Sequence, residues 1–231
     1  MKIAISQSNY IPWAGYFGLI SKCDVFVFLD DVQFTSRDWR SRNRIKTADG
    51  LKWLSIPVGD SRSRRICDVK LPDTDWKKSH KSSIMASYRD ANNFQAGVDF
   101  IETIYSKFQL ETLSDFNQSC TRFIAREILG LNCRFLDSRE ITHAGTGSER
   151  ILSICKSLSA TKYVSGPSAA SYLEVDDFSI NGIEVAFVDY SNMSSYEQLH
   201  GDFIPNVSII DMVFNVASDY SKLIEIDTFT P

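Results

Sequence analysis

Apolar positions along this chain follow two rhythms, and each rhythm predicts elements. Residues 2–7 read as a buried strand ending in polar side chains, and residues 24–30 (DVFVFLD) as a β-branched and aromatic second strand. Between them lie a Pro-containing loop, 8–13, and a helical stretch, 14–23. A third strand is expected over 52–58, after the turn Ala48-Asp49-Gly50. The rhythm then becomes helical. Residues 75–90 carry Trp76, Ile84 and Tyr88 behind a cap at Asp73, Thr74 or Asp75. Residues 97–108 and 115–129 follow as helices, the latter with Phe116, Cys120, Phe123, Ile124, Ile128 and Leu129 at helical spacing and Gly130 as its stop. Strands return at 133–136, 163–165 and 183–188. They alternate with a helix over 146–158, where Thr146 and Glu149 have capping-box spacing, a helical turn over 168–173 and a last helix over 208–217.

A strand–helix–strand unit crosses over right-handed into a parallel sheet, and its strands deliver their last residues to the sheet's carboxyl edge, where open α/β folds bind ligands. The expected architecture is therefore α/β: a Rossmann-like three-layer parallel sheet, one domain over 1–231, with a helical insertion over 75–130.

Composition narrows the function. The chain of 231 residues is 43 % hydrophobic and 23 % charged, with a net charge of −4. Apolar runs such as 25–29 and 207–210 fall far short of the ~20 residues of a spanning helix, and the chain start lacks the apolar stretch of a secretory signal. Five cysteines, odd in number and without a CxxC, read as reduced, mostly buried thiols of a cytoplasmic protein. The three histidines are too scattered for a metal-ligand pattern, so no metal is called. Charge is uneven: residues 37–70 hold ten of the 25 Lys and Arg and net +6, in an otherwise acidic chain. That distribution points to a localised anion site and argues against coating of duplex nucleic acid; a tRNA as donor stays open.

The run ISQSNYIPWAGYFGLI, then DVFVFLDDVQFTSRDWRSRNRIK and KWLSIPV, then YVSGPSAASYL and YEQLHGDFIPNVSIIDMVFN, together resemble the WbqC-like family of bacterial proteins. The resemblance covers nearly the whole chain. It implies a place in surface-polysaccharide (O-antigen type) biosynthesis and, for the helix after residue 75, a histidine. A looser likeness to nucleotidyltransferase-type folds lacks their HxGH signature: the corresponding place reads Pro12-Trp-Ala-Gly15-Tyr16.

Several residues carry candidate chemistry. Arg37, Arg40, Arg42, Asn43 and Lys46 supply guanidinium, amide and ammonium donors for phosphate or carboxylate, or else form a solvated basic turn paired with nearby carboxylates. Asp30 and Asp31 end the second strand; adjacent side chains there face opposite ways, so one is expected at the site and the other in an ion pair. Gln7, Tyr10 and Gln33 fall near the sheet edge, and Gly15 shapes the loop. Trp13, Tyr16 and Phe17 read as packing residues. His80 shares a helix face with Trp76, Ile84 and Tyr88 and is either a base or a satisfied core histidine; His143 and His200 are expected to be exposed. Ser165 and Gly166, between a strand and a helical turn, are placed as anion holders or as an ordinary turn. Asp211 and Asn215, four apart, share one helix face.

The expected function is acyl or aminoacyl transfer to a nucleotide-linked amino sugar, with His80, Asp30 or Asp31 as catalytic groups and a nucleotide sugar and an activated acyl donor as ligands. No cofactor and no oligomeric state are called. The alternatives are a nucleotidyltransferase-like enzyme with an altered signature and a non-catalytic nucleotide-sugar-binding module.

Overall fold

The computed structural model describes every residue except Arg62, Gln109, Ser218 and Pro231. Two strands rich in apolar residues, β1 (Lys2–Ser6) and β2 (Val25–Phe28), are joined through helix α1 (Ala14–Ser21) and pair in parallel. A hairpin follows, β3 (Arg42–Thr47) and β4 (Gly50–Ser55), then helices α2 (Trp76–Tyr88), α3 (Phe94–Lys107) and α4 (Leu113–Phe123). Helix α4 starts on a Thr112 cap that accepts from the Asp115 amide, runs on through a π turn at Ile124–Ile128, and is followed by Gly130 at φ 63°. The chain then forms β5 (Arg134–Asp137), α5 (Gly147–Ser157), β6 (Lys162–Ser165), a 3₁₀ turn at Pro167–Ser171, α6 (Val175–Ile180), β7 (Glu184–Asp189), α7 (Ile209–Asn215) and β8 (Asp227–Phe229).

The main sheet has the order β5-β2-β1-β6-β7-β8, and all neighbours are parallel except β7 and β8. The crossover from β2 to β5 contains the hairpin and helices α2, α3 and α4. Alternation along the strands fills two cores. Ile3, Ile5, Val25 and Val27 face α5 and α6, through Ile151, Ile154, Cys155 and Phe178. Ala4, Phe26 and Phe28 face the larger core, made with α1, α2, α3, α4 and α7. A mixed, mostly parallel sheet thus lies between helical layers.

Four expectations need correction. The basic stretch at 42–47 is strand β3, because its alternate residues Asn43 and Ile45 are buried while it pairs antiparallel with β4. The sheet is not wholly parallel: β8 runs antiparallel along its edge. Helix α6 was not expected at all. Thr146 precedes α5 without a side-chain cap; Gly147 there has φ 52°, and the Glu149 carboxyl lies against Gly145 instead of reaching back to Thr146. All five cysteines are free and buried, as expected. No helix among the described residues is long and apolar enough to cross a membrane.

Candidate functional site at the carboxyl edge of the sheet

Strand β1 pairs with β2 on one side and β6 on the other, and the two neighbours are reached by connections leaving in opposite directions. A crevice opens outside the carboxyl ends of strands at such a reversal. Here it is a cavity of about 400 Å³ lined by Ser6, Gln7, Trp13, Tyr16, Arg40, Tyr163, Ser165, Gly166, Ser168, Tyr172 and Tyr190 among others. It continues into a second space of about 420 Å³ through shared Gln7, Leu29, Ile151 and Tyr172; this second space adds Asp31, Gln33, Thr146 and Arg150. Asp31 in turn borders a third, with Arg65, Ser138, Arg139 and His143. The three form a groove along the edge.

Loop 8–13 shapes its floor and is pinned from several sides. The carbonyl oxygens of Tyr10 and Ile11 accept from Asn43 Nδ2 at 3.1 and 2.8 Å, and Ser208 Oγ donates to Ile11 O at 2.7 Å. Ile11 is held at φ 35°, a strained value for a β-branched residue that persists only under such constraint. The Trp13 indole folds back onto α1, where a Cβ on Gly15 would lie 2.3 Å from the ring. Gly15 therefore makes room for the cavity wall. Trp13 packs on Tyr190 with ring centroids 4.9 Å apart.

Arg40 reaches the main cavity from the loop before β3. Its guanidinium donates to Gln7 Oε1, to Asp38 Oδ1 at 3.1 Å and to Asn9 Oδ1 at 3.4 Å, while its buried Nε has no partner among the described residues. Burial pushes its pKa down and Asp38 pulls it back; a guanidinium stays cationic under such shifts. Arg40 is the one cation among the described residues lining this cavity.

Asp30 and Asp31 lie just beyond β2, which ends at Phe28 and not at the aspartates as expected, and their side chains diverge. Asp30 is fully buried and accepts from the Ser8 amide (2.8 Å), Ser114 Oγ (2.5 Å) and Gln118 Nε2 (3.1 Å). Gln118 Nε2 also donates to Asp137, 2.7 Å away, so Asp30 belongs to a buried polar cluster beneath α4, whose outer members Asp137 and Gln118 are held by Arg139 and Arg122. Asp30 lines none of the three spaces and pairs with no arginine among the described residues. Asp31 faces the groove, held by Ser138 Oγ (2.6 Å) and His143 Nε2 (3.0 Å), with Arg150 at 3.7 Å. Burial pushes its carboxyl up, but these hydrogen bonds and the positive charges beside it outweigh burial and hold it below the usual carboxylate range. It is an ionised acceptor at neutral pH.

His80 is placed elsewhere. Its Nδ1 accepts from Tyr10 OH at 2.8 Å, its Nε2 donates to Ser55 O at 3.2 Å, and Tyr10 is hydrogen-bonded in turn to Tyr105. Burial lowers its pKa to about 4, so the ring is neutral with both nitrogens engaged. The helical period put His80 inward, and inward here is the core between α2 and the hairpin. Tyr10, fully buried in the same chain of hydrogen bonds, is likewise absent from the cleft.

The expected basic anion site is mostly dispersed. Lys46 is buried, donating to Gln198 Oε1 (3.2 Å), Gly201 O (2.8 Å) and Asp202 O. Arg42 lies 4.0 Å over the Trp53 ring, and with Arg37 it lines a separate cavity near Pro57. Asn43 spends its amide on the loop. Arg62 lies outside the described residues. Gln7, Ser165 and Gly166 do line the main cavity, and Gln33 lies in the adjoining groove with Asp31.

The sequence reading missed Trp13, Tyr163, Tyr172 and Tyr190 as walls, and took His143 to be exposed although it is packed on Asp31. The signal for the tyrosines was available: Tyr163, Tyr172 and Tyr190 lie in or just after segments that end at the same edge.

The profile of the WbqC-like protein family matches residues 7–222. The chain belongs to the WbqC-like protein family. A relative of similar length, the uncharacterized protein Rv1507c of Mycobacterium tuberculosis (strain ATCC 25618 / H37Rv), is 41 % identical over 220 residues, which cover 94 % of this chain and 95 % of the relative. No solved structure matches. For this WbqC-like chain the groove offers Arg40 in the main cavity, Arg150, Arg65 and Arg139 farther along it, an ionised carboxylate, amides and aromatic walls. No histidine or cysteine lines the main cavity, and Ser165 Oγ is bonded to Tyr163 OH at 3.1 Å.

Proposed function

We propose that this WbqC-like protein is a cytoplasmic transferase of surface-glycan precursor biosynthesis that binds a nucleotide sugar in the groove and transfers an acyl or aminoacyl group to its amino sugar. The observation that carries the reading is the cavity at the strand-order reversal with Arg40 as its cation. Counted in chain order, the five parallel strands run 3-2-1-4-5, the Rossmann-like order whose reversal binds nucleotides, and a carboxylate after the second strand accepts ribose hydroxyls there. Asp31 takes that role, Gln33 borders the nucleoside, and Arg40 neutralises the diphosphate. The resemblance to surface-polysaccharide proteins supports the sugar.

With no thiol or imidazole lining the main cavity, transfer is direct. The neutral amine attacks the acyl carbon; the C–N bond forms, the nitrogen then gives up a proton to solvent, and the bond to the donor's leaving group breaks with the electron pair on that group. Arg40 and the tyrosine hydroxyls orient the reactants. The same lining favours a second reading, a module that holds the nucleotide sugar without turnover.

Mass spectrometry of small molecules retained through purification tests the reading. A nucleotide sugar is expected, and its mass should rise by one acyl or aminoacyl group when activated donors are supplied. Retention without a mass change leaves the binding module. Retention of ATP or coenzyme A alone contradicts the nucleotide-sugar reading.

A further inference from the structure

Beside the main cavity, on the far side of the Trp13 indole, lies a separate space of about 290 Å³ lined by Asn9, Pro12, Trp13, Trp39, Asn43 and Asn206. None of these side chains is ionisable. We propose that this space is a subsite for one pyranose ring, the amino sugar of the ligand whose diphosphate lies at Arg40, seated with its amine in the uncharged form that attacks. The assignment rests on the nucleotide-sugar reading for what is tethered to the ring.

Three features carry it. First, the walls pair apolar aromatic faces with carboxamides and lack charge, which suits a ring with C–H faces and hydroxyl edges and does not suit a phosphate. Second, the amides are available. Asn43 is fully engaged, but among the described residues Asn9 Nδ2 and the whole Asn206 side-chain amide have no hydrogen-bond partner. Third, Trp39 is exposed yet fixed. It lies in the loop before β3 with 38 % of the residue open to solvent. Its amide donates to Asp38 Oδ1 at 2.7 Å, and its carbonyl accepts from the Tyr10 amide at 2.9 Å. Trp53 packs beside it at 5.4 Å, and Arg44 stands 5.7 Å from its ring. An indole held in this way presents a ready-made platform at little ordering cost.

The subsite also lies in line with the groove. Trp13 is common to both cavities, and Arg40 Nη1 donates to Asn9 Oδ1. A ligand with its nucleoside at Asp31 and its phosphates at Arg40 would pass over Trp13 and end its sugar against Trp39.

Saturation-transfer NMR on the full chain tests this, with methyl glycosides of glucose, galactose, mannose and N-acetylglucosamine as probes and uridine and UDP as comparators. At least one glycoside should receive saturation on its ring protons. Its affinity should fall roughly tenfold in Trp39→Ala and in Asn206→Ala and largely return in Trp39→Tyr, while UDP binds Trp39→Ala as it binds the parent. Retained thermal midpoints show that the variants fold. Absence of binding by every glycoside, or binding unchanged in both variants, overturns the subsite. Displacement of the glycoside by uridine in a Trp39-dependent manner overturns it too, since the cavity would then take a base. Failure of UDP to bind, with Trp39-dependent glycoside binding intact, removes the nucleotide from the cleft and keeps the sugar at Trp39.

Discussion

The carboxyl edge of the sheet has a packed side and an open side, and the chain passes from one to the other between Asp30 and Asp31. On the packed side Asp30, Ser114, Gln118 and Asp137 bond to one another, with Asp137 also held by Arg139, and Tyr105, Tyr10 and His80 form a second buried chain that reaches the Ser55 carbonyl. On the open side Asp31, Gln7 and Arg40 line the groove and Asn9 the cavity beyond Trp13, and Arg40 Nε and Asn9 Nδ2 have no partner among the described residues. Both sides hold carboxylates, amides and rings of the same kinds. What separates them is whether a side chain's main hydrogen-bonding partners are protein groups or a cavity lies in front of it. A polar residue at a strand end is therefore a ligand candidate only if its neighbours leave it something to bind.

The largest test of this division is Asp30→Ala, which leaves the Ser8 amide and the Ser114 hydroxyl without their acceptor in a buried place, while Gln118 keeps Asp137. Stability should fall by about 3–5 kcal/mol in denaturant unfolding. A loss below about 1 kcal/mol would show that the packed side is not closed.

Acid separates the two sides next. His80 has its folded pKa near 4, below the ~6.5 of an unfolded histidine, so the unfolded chain binds the proton first. Stability should drop by about 3 kcal/mol as pH falls from about 6.5 to about 4. His80→Gln should flatten that window in urea titrations at a series of pH values. Asp31 acts in a lower one: its depressed pKa gives stability that is present above about 3.9 and lost as pH falls through the folded value. Asp31→Asn should change only that limb.

Much of this was legible because its causes are local. Strands β1, β2 and β7 and helices α2 and α4 are written in short apolar runs or helical periods, and the expected divergence of Asp30 and Asp31 is found, although in the loop after β2 and not within the strand. Which of the two faces the groove does not, since α4, some 85 residues later, supplies the groups that bury Asp30. Strand β3 was hidden because RNRIKT is polar by composition and becomes a strand through its pairing with β4. The cluster of cations looked like one site, yet hairpin geometry sends Lys46 into the core and Arg42 onto Trp53, leaving Arg40 in the cleft. Trp13 was read as packing because nothing local reveals that its ring walls two cavities.

Smaller substitutions sharpen the boundary. Gly15→Ala places a methyl inside the Trp13 ring position and should cost about 1–3 kcal/mol while loosening ligand binding, because the shared wall must move. Thermal unfolding with a parallel binding titration reads both effects. Gly166→Ala meets nothing within 4 Å and should leave stability within about 0.5 kcal/mol. If that variant nevertheless weakens nucleotide binding, the ligand approaches the backbone there.

The most direct measurement is calorimetric titration of a UDP-linked amino sugar into the parent protein and into Arg40→Ala. A charged contact to the diphosphate predicts a loss of roughly 10–100-fold in affinity with the fold retained. Equal affinity in the two proteins would contradict the placement of the ligand at the strand-order reversal.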